Sequence, residues 1–275
     1  MLLTPIAPVV VHSTSGLLFI DKPPGVSFHS SVAQGDVGLM HLLRKMCVDG
    51  FIDHDDRLFP VHRLDRVTSG LLMVAKTPAA AAAAGELLRS PQTSGIHKYY
   101  VALSGRKPSK KMGKVIGDME RSRRGSWKLL RSTERPAVTS FLSESLADDG
   151  EAAAGAARLR AFVLKPQTGK THQLRVALKA LGSPILGDPT YAAAADAASE
   201  ERTYLHAAAL RLPGGHAALC DSGDAIEVRC RPSQGERFRG DAFCEAWDRW
   251  FELPDRDPPG GYDEWFPNSP IASVA

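Results

Sequence analysis

The chain has 275 residues, a formal net charge of +3, 43% apolar and 24% charged residues, which is the make-up of an ordinary globular protein and allows one large domain or two small ones. No run of about 20 apolar residues exists to cross a bilayer, and the first 16 residues (MLLTPIAPVVVHSTSG) lack the basic start and small-residue cleavage site of a secretory signal. The four cysteines (Cys47, Cys220, Cys230, Cys244) form no CxxC pair, so reduced thiols in a cytoplasmic setting are expected.

Leu17-Leu18-Phe19-Ile20 reads as a buried strand, stopped by Asp21-Lys22-Pro23-Pro24-Gly25. Leu39 to Val48 carries apolar residues at helical spacing. Leu71 to Ala75 suits a central strand, and Thr77-Pro78 then reads as an N-cap with proline in the first turn, opening an Ala-rich helix to Leu88. His97–Leu103, Thr139–Leu146 and Arg158–Leu164 have strand character, the last with Leu159, Ala161 and Val163 alternating against Arg158, Arg160 and Phe162. A helix is expected over Thr171–Leu181, ended by Gly182, then strands over Thr203–Leu210 and Ala225–Cys230. Phe243, Trp247, Trp250 and Phe251 fall on one side of a last helix. Ala192 to Ser199 and the Pro-rich stretch after Leu253 read as mobile segments.

Strands outnumber helices and do not alternate with them, so the expected fold class is α+β: a mixed, mainly antiparallel central sheet with flanking helices. No repeat or clean linker is visible. One catalytic domain over 17–253 is expected, with an N-terminal extension at 1–16 and a Pro-rich tail at 254–275.

Charge is unevenly spread. From Arg106 to Arg135 there are eleven Lys/Arg against three acids, a net of +8, so the rest of the chain sums to 3 − 8 = −5. Trp127 and Gly125 interrupt the run. A phosphate-binding face is one reading and a solvated basic loop the other; Arg121, Arg123 and Arg124 are the candidate phosphate contacts.

The most informative stretch is His62-Arg63-Leu64-Asp65-Arg66-Val67-Thr68-Ser69-Gly70. Two guanidiniums beside one carboxylate would keep it ionised when partly buried. Such a group is either a structural salt bridge or a nucleophile or base. A metal-dependent phosphohydrolase would need His54-Asp55-Asp56 and His62 as ligands, but no second cluster has metal spacing.

Five segments in order decide between these readings. Phe19 to Val26, Arg63-Leu64-Asp65, His97-Lys98-Tyr99-Tyr100-Val101-Ala102-Leu103, Leu164 to Tyr191 (LKPQTGKTHQLRVALKALGSPILGDPTY) and Tyr204-Leu205-His206-Ala207 together resemble the motifs of RluA-family RNA pseudouridine synthases. The resemblance covers about residues 19 to 210. It implies an isomerase converting uridine to pseudouridine in a structured transfer or ribosomal RNA, with no cofactor or metal; a monomer is the default expectation, and the cytoplasm follows from the absence of targeting signals in the sequence. It gives Asp65 the nucleophile role and makes Arg175 the cation that pairs with the catalytic carboxylate. Tyr100 becomes the ring that stacks on the target base, and either Tyr100 or a water is the base that removes the proton from carbon 5. Leu174 would form apolar wall, and Arg63 would contact phosphate or fill the gap left by the flipped base. Lys22 would touch phosphate or cap a turn. His62 and His172 are read as packing or hydrogen-bonding residues, and Tyr99, opposite Tyr100 on its strand, as core. Asp65 could attack the sugar or the base, or abstract a sugar proton to form a glycal. The rival from another class is a silent RNA-binding module.

Two departures from the family pattern bear on substrate fit. Ala177 stands where the family often has His, and Ala192 where it often has Gly. With 16 residues ahead of the first expected strand, no separate N-terminal RNA-binding domain is expected, which leaves RNA contacts to the catalytic domain.

Overall fold

A computed structural model describes residues 7–30, 37–54, 57–89, 91, 93–146 and 159–252. The Pro-rich tail after Leu253, the pair Asp55-Asp56 and Arg158 lie outside the described residues. In chain order the strands are β1 (Val9–Ser13), β2 (Leu17–Lys22), β3 (Phe59–Pro60), β4 (Ser69–Ala75), β5 (His97–Ser104), β6 (Met112–Gly117), β7 (Met119–Arg121), β8 (Trp127–Leu129), β9 (Ala137–Ser145), β10 (Arg160–Pro166), β11 (Leu205–Leu212) and β12 (Ile226–Arg229). The helices are α1 (Leu39–Val48), α2 (Pro78–Arg89), α3 (Gln173–Ala180), α4 (Ala194–Ala198), α5 (Glu236–Arg239) and α6 (Asp241–Trp247). No helix among them is long and apolar enough to cross a membrane.

The chain packs as two compact units, Met1–Lys98 with His206–Cys230 and Tyr99–Leu205 with Arg231–Ala275. Neither is a contiguous stretch, which is why the sequence carries no linker to mark them.

In the first unit the strand order is β1-β2-β4-β11, with β12 also paired to β11 and β3 to β4. Every pairing within it is antiparallel except β4 with β11, which is parallel. β2 and β4 are buried almost residue for residue, as their unbroken apolar runs require. β1 lies within what reads from sequence as an extension, and pairs with β2 in register Val9↔Asp21 to Ser13↔Leu18. Helix α1 buries Leu39, Leu43 and Cys47, one residue per turn along one stripe. Thr77 caps α2 as expected, its Oγ1 accepting the Ala80 N–H at 3.1 Å, and Ala80, Ala84 and Leu87 face the core.

The second unit has strand order β5-β10-β9-β6, all antiparallel, and a separate two-stranded hairpin of β7 and β8. The alternation expected along β10 does not hold: Arg160 to Leu164 are all buried, because β10, central between β5 and β9, is covered on both faces. Helix α3 packs with Leu174, Ala177, Leu178 and Leu181 against Ala102, Phe141, Phe162, Leu164 and Leu205. Ala192–Ser199, read from sequence as mobile, instead contains α4, favoured by its alanines and by Asp196 in its first turn; Arg106 Nη2 donates to that carboxylate at 3.1 Å. The final aromatic helix is α6 followed by a π-helical turn at Asp248–Glu252, and Phe243, Trp247, Trp250 and Phe251 are all buried. The α+β, mainly antiparallel architecture is the expected one.

Two local constraints shape the loop ahead of β4. Gly70 has φ +101°, and a Cβ there would sit 2.3 Å from the Ala207 carbonyl oxygen and 2.6 Å from the Ala207 nitrogen. The parallel pairing of Ala207 with Gly70 needs that bare backbone. His62 Nε2 accepts the Met73 N–H at 3.0 Å, fastening the loop to β4. Burial, then the Lys98 charge, pushes the His62 imidazole down to about 3 from 6.5, so it stays neutral and able to accept.

Gly70→Ala should cost more than about 3 kcal/mol of stability in urea unfolding, since steric overlap and an unfavourable φ add. The His62 shift sets a direction with pH. The unfolded imidazole takes a proton near pH 6.5 and the folded one only near pH 3, so stability should fall across that window as pH drops. In His62→Gln that decline should be shallower, measured by unfolding midpoints at pH 7, 5 and 4.

Candidate active site

Asp65 lies in the loop joining β3 to β4, a position that the sequence punctuates on both sides. Leu64 is buried and anchors the loop, while Arg63 before it is exposed. The Asp65 carbonyl accepts the Thr68 N–H at 3.1 Å, so residues 65–68 form a tight turn, and Asp65 itself is half-buried. The residue after the carboxylate is held in place by backbone. Arg66 Nε donates to the Gly25 carbonyl at 2.9 Å, and the Arg66 carbonyl accepts the Gly25 N–H at 2.8 Å.

Lys22 completes that clamp. It is 0% exposed, and its ammonium donates to the carbonyls of Pro23 (2.8 Å), Val26 (2.9 Å) and Arg66 (3.3 Å). Of the two roles open from sequence, this placement is that of the turn cap. A buried ammonium with three carbonyl acceptors is turned away from any phosphate approaching through solvent.

Behind the turn, Ser69 Oγ and His206 Nδ1 are 2.8 Å apart and His206 Nε2 is 2.8 Å from the Cys230 carbonyl. A carbonyl can only accept, so Nε2 carries the proton and Nδ1 accepts from the serine hydroxyl. Burial, and then the Asp21 carboxylate that the thiol bonds, push the Cys230 thiol well above its ordinary value. Asp21, His206 and Cys230 thus bring three donor types within 4.8 Å of one another. Both imidazole nitrogens are already engaged by protein atoms, so the cluster is complete as a hydrogen-bonded network. The other metal-like run from the sequence is dispersed where it is described: His54 Nε2 lies 3.0 Å from the Lys76 carbonyl, and His62 serves Met73.

The second unit positions Tyr100, Leu174 and Arg175. Tyr99 is buried and Tyr100, on the other face of β5, is half-buried and packs against the core that contains Leu174. The start of α3 is pinned by Gln173. Its Oε1 accepts from Thr168 Oγ1 (2.7 Å) and the Lys170 N–H (3.0 Å), and its Nε2 donates to the Val138 carbonyl and Thr139 Oγ1, both at 3.0 Å. His172, directly before the helix, takes a left-handed conformation at φ 57°.

Arg175 is buried, and Asp188 grips it in a two-armed ion pair, Nε to Oδ2 at 2.7 Å and Nη2 to Oδ1 at 2.8 Å. Nη2 also reaches Thr190 Oγ1 at 3.0 Å, and the guanidinium lies 5.0 Å from the Tyr191 ring centre. Asp188 Oδ1 accepts the backbone N–H groups of Thr190 (2.8 Å) and Tyr191 (3.2 Å). This partner was missed by sequence reasoning, although Gly187-Asp188-Pro189-Thr190-Tyr191 had been matched as a motif. The signal is Gly187, at φ +72° with the Arg202 carbonyl oxygen 1.8 Å from where a Cβ would be, which turns the chain so that Asp188 faces α3.

Arg121, Arg123 and Arg124 are exposed on the β7–β8 hairpin. The tip is a 3-10 turn at Arg123–Gly125 in which Arg124 has φ 53°, and the Arg121 guanidinium lies 5.9 Å from the Trp127 ring. Much of the basic stretch is built structure, β6 to β8.

A family model described as RNA pseudouridylate synthase matches residues 16–180. The chain is 43% identical over 227 residues to an uncharacterized RNA pseudouridine synthase of Haemophilus influenzae, covering 82% of this chain and 88% of that one. It is 39% identical over 154 residues to the dual-specificity RNA pseudouridine synthase RluA of Escherichia coli, an alignment that spans 55% of this chain and 65% of the relative. Among solved structures, human RNA pseudouridylate synthase domain containing 1 superposes with TM-score 0.61 at 25% identity, over 82% of this chain and 83% of that one. The loop of Asp65, strand β5 with Tyr100 and α3 with Arg175 all fall inside the matched region, and the chain belongs to the RluA-like family of RNA pseudouridine synthases, isomerases of uridine in RNA.

Proposed function

We propose that the chain isomerises one uridine of a stem-loop in transfer or ribosomal RNA, with Asp65 as nucleophile and the target base flipped out of its stack. The observation that carries this is the construction around Asp65: a half-buried carboxylate at the head of a turn whose backbone is held by Lys22, Gly25, His62 and Gly70. Such a carboxylate loses little freedom when it attacks, and this is how a fixed nucleophile lowers a barrier. The reaction breaks the bond from ribose to nitrogen 1 of uracil, turns the base and joins it through carbon 5. It involves no net redox change and needs no metal or energy source.

The other roles follow residue by residue. Tyr100 offers a flat face to uracil and a hydroxyl for moving the carbon 5 proton. Arg175, immobilised by Asp188, presents a fixed positive charge that favours an anionic catalytic carboxylate. Leu174 contributes apolar surface beside it. Arg63, exposed next to Asp65, meets phosphate or the space vacated by the flipped base. Lys22 acts through the turn, as a clamp. Arg121, Arg123 and Arg124 bind RNA phosphates from the hairpin. A monomer working in the cytoplasm fits this reading.

Pseudouridine mapping by carbodiimide primer extension, on RNA from cells with the intact gene, its deletion or Asp65→Asn, should show one site lost in both altered strains. A site retained in Asp65→Asn would remove the nucleophile role. No lost site in any RNA would leave a binding module as the better account. Charge reversal at Arg121, Arg123 and Arg124 should flatten the dependence of log affinity on log salt by about 2 to 3, at roughly 0.7–0.9 per phosphate contact. An unchanged slope would return the hairpin to a solvated role.

A further inference from the structure

Tyr191 sits at a junction within the second unit. It is buried, and its hydroxyl accepts the Trp127 N–H at 2.9 Å and lies 2.9 Å from His172 Nδ1. Its ring stands 5.0 Å from the Arg175 guanidinium and 5.6 Å from the Lys179 ammonium, both on α3. Trp127 opens β8, immediately after the Arg123–Gly125 tip, and Leu129 at the other end of β8 packs on the core that holds Leu174. β7 and β8 have three residues each. A ribbon that short has little stability of its own, so whatever fastens it decides where its arginines point.

We propose that Tyr191 is a positioning residue that ties the basic hairpin to α3: its hydroxyl sets the pose of the phosphate-binding arginines while its ring backs Arg175. The inference rests on the reading of the hairpin as an RNA-binding face. One side chain then couples where the RNA backbone is held to where the fixed charge at α3 stands. The two functions separate chemically, because the hydroxyl meets the hairpin amide and His172, whereas the ring is what faces the guanidinium.

The test uses the full chain and the transcript carrying the mapped uridine, with labelled bulk transfer RNA as a second probe for affinity. Tyr191→Phe keeps the ring and removes the hydroxyl. It should raise KM and the RNA Kd about fivefold to tenfold, leave kcat within about twofold, and shift Tm by no more than a few degrees. In an Arg123→Glu/Arg124→Glu background the same change should add less than about twofold, because the tip it positions no longer binds phosphate. Tyr191→Leu removes the ring as well and should lower kcat by about tenfold or more. A hydroxyl with a merely structural role would lower Tm without moving Kd, or would act multiplicatively with the tip changes; either result overturns the proposal, as does an unchanged kcat in Tyr191→Leu. Wild-type protein that binds RNA but forms no pseudouridine would instead defeat the catalytic reading, and the affinity cycle would still be readable.

Discussion

The buried ion pair of Arg175 and Asp188 is the interaction on which the second unit depends. Their side chains are 4% and 0% exposed, so both charges have left water. Desolvation of that kind is offset only by near-ideal geometry and by partners for the remaining lone pairs and protons. Both conditions are met: two parallel bonds join the pair, Thr190 takes a further donor of the guanidinium, and two backbone N–H groups serve the carboxylate. Removing Arg175 would leave the buried Asp188 carboxylate without its counter-ion and cost about 3–5 kcal/mol, whereas the pair itself adds little net stability. Its value is positional. The helix bearing Arg175, the turn bearing Thr190 and Tyr191, and the hairpin fastened through the Tyr191 hydroxyl are referenced to one fixed point.

The first unit solves a related problem with backbone. The Asp65 turn belongs to no strand or helix, so regular ladders cannot hold it. Carbonyls and amides are used one at a time: Gly25 on Arg66, Lys22 on three carbonyls, His62 on the Met73 amide, His206 between Ser69 and the Cys230 carbonyl. The residues chosen differ for physical reasons. Lys22 can be buried because its donors all find carbonyls, and His62 can accept because burial keeps it neutral. Gly70 is required because β11 approaches its backbone more closely than any side chain permits.

These two devices have different consequences for change. The Asp65 turn is secured by several contacts of modest strength, so loss of one shifts the turn without unfolding the unit. The Arg175–Asp188 pair is a single contact of high stakes in which neither partner is replaceable alone. The basic hairpin lies at the opposite extreme, exposed at its tip and held by the Trp127 amide–Tyr191 hydroxyl bond beside that tip and by the packing of Leu129 at the other end of β8.

Elements whose signal is local were legible in the chain. The bounds of α1, the Thr77 cap of α2 and the central strands follow from apolar spacing and turn chemistry within a dozen residues, and the order of five motifs was enough for the family. Strand β1 and the hairpin strands β7 and β8 were not, because exposed or three-residue strands leave too short a pattern. β10 misled because burial on both faces erases the alternation that marks a half-exposed strand. For the site, the sequence determined which residue types are present and in what order: the carboxylate between two arginines, the paired tyrosines, the His-Gln-Leu-Arg helix start. Only the tertiary structure decided their partners. That Asp188 receives Arg175, that Tyr191 joins the hairpin to α3, and that Lys22 serves carbonyls are contacts closed by turns at Gly187 and Gly25 and by strands far apart in the chain. Hydrogen bonds choose partners by distance in space, and spacing along a sequence does not contain that distance.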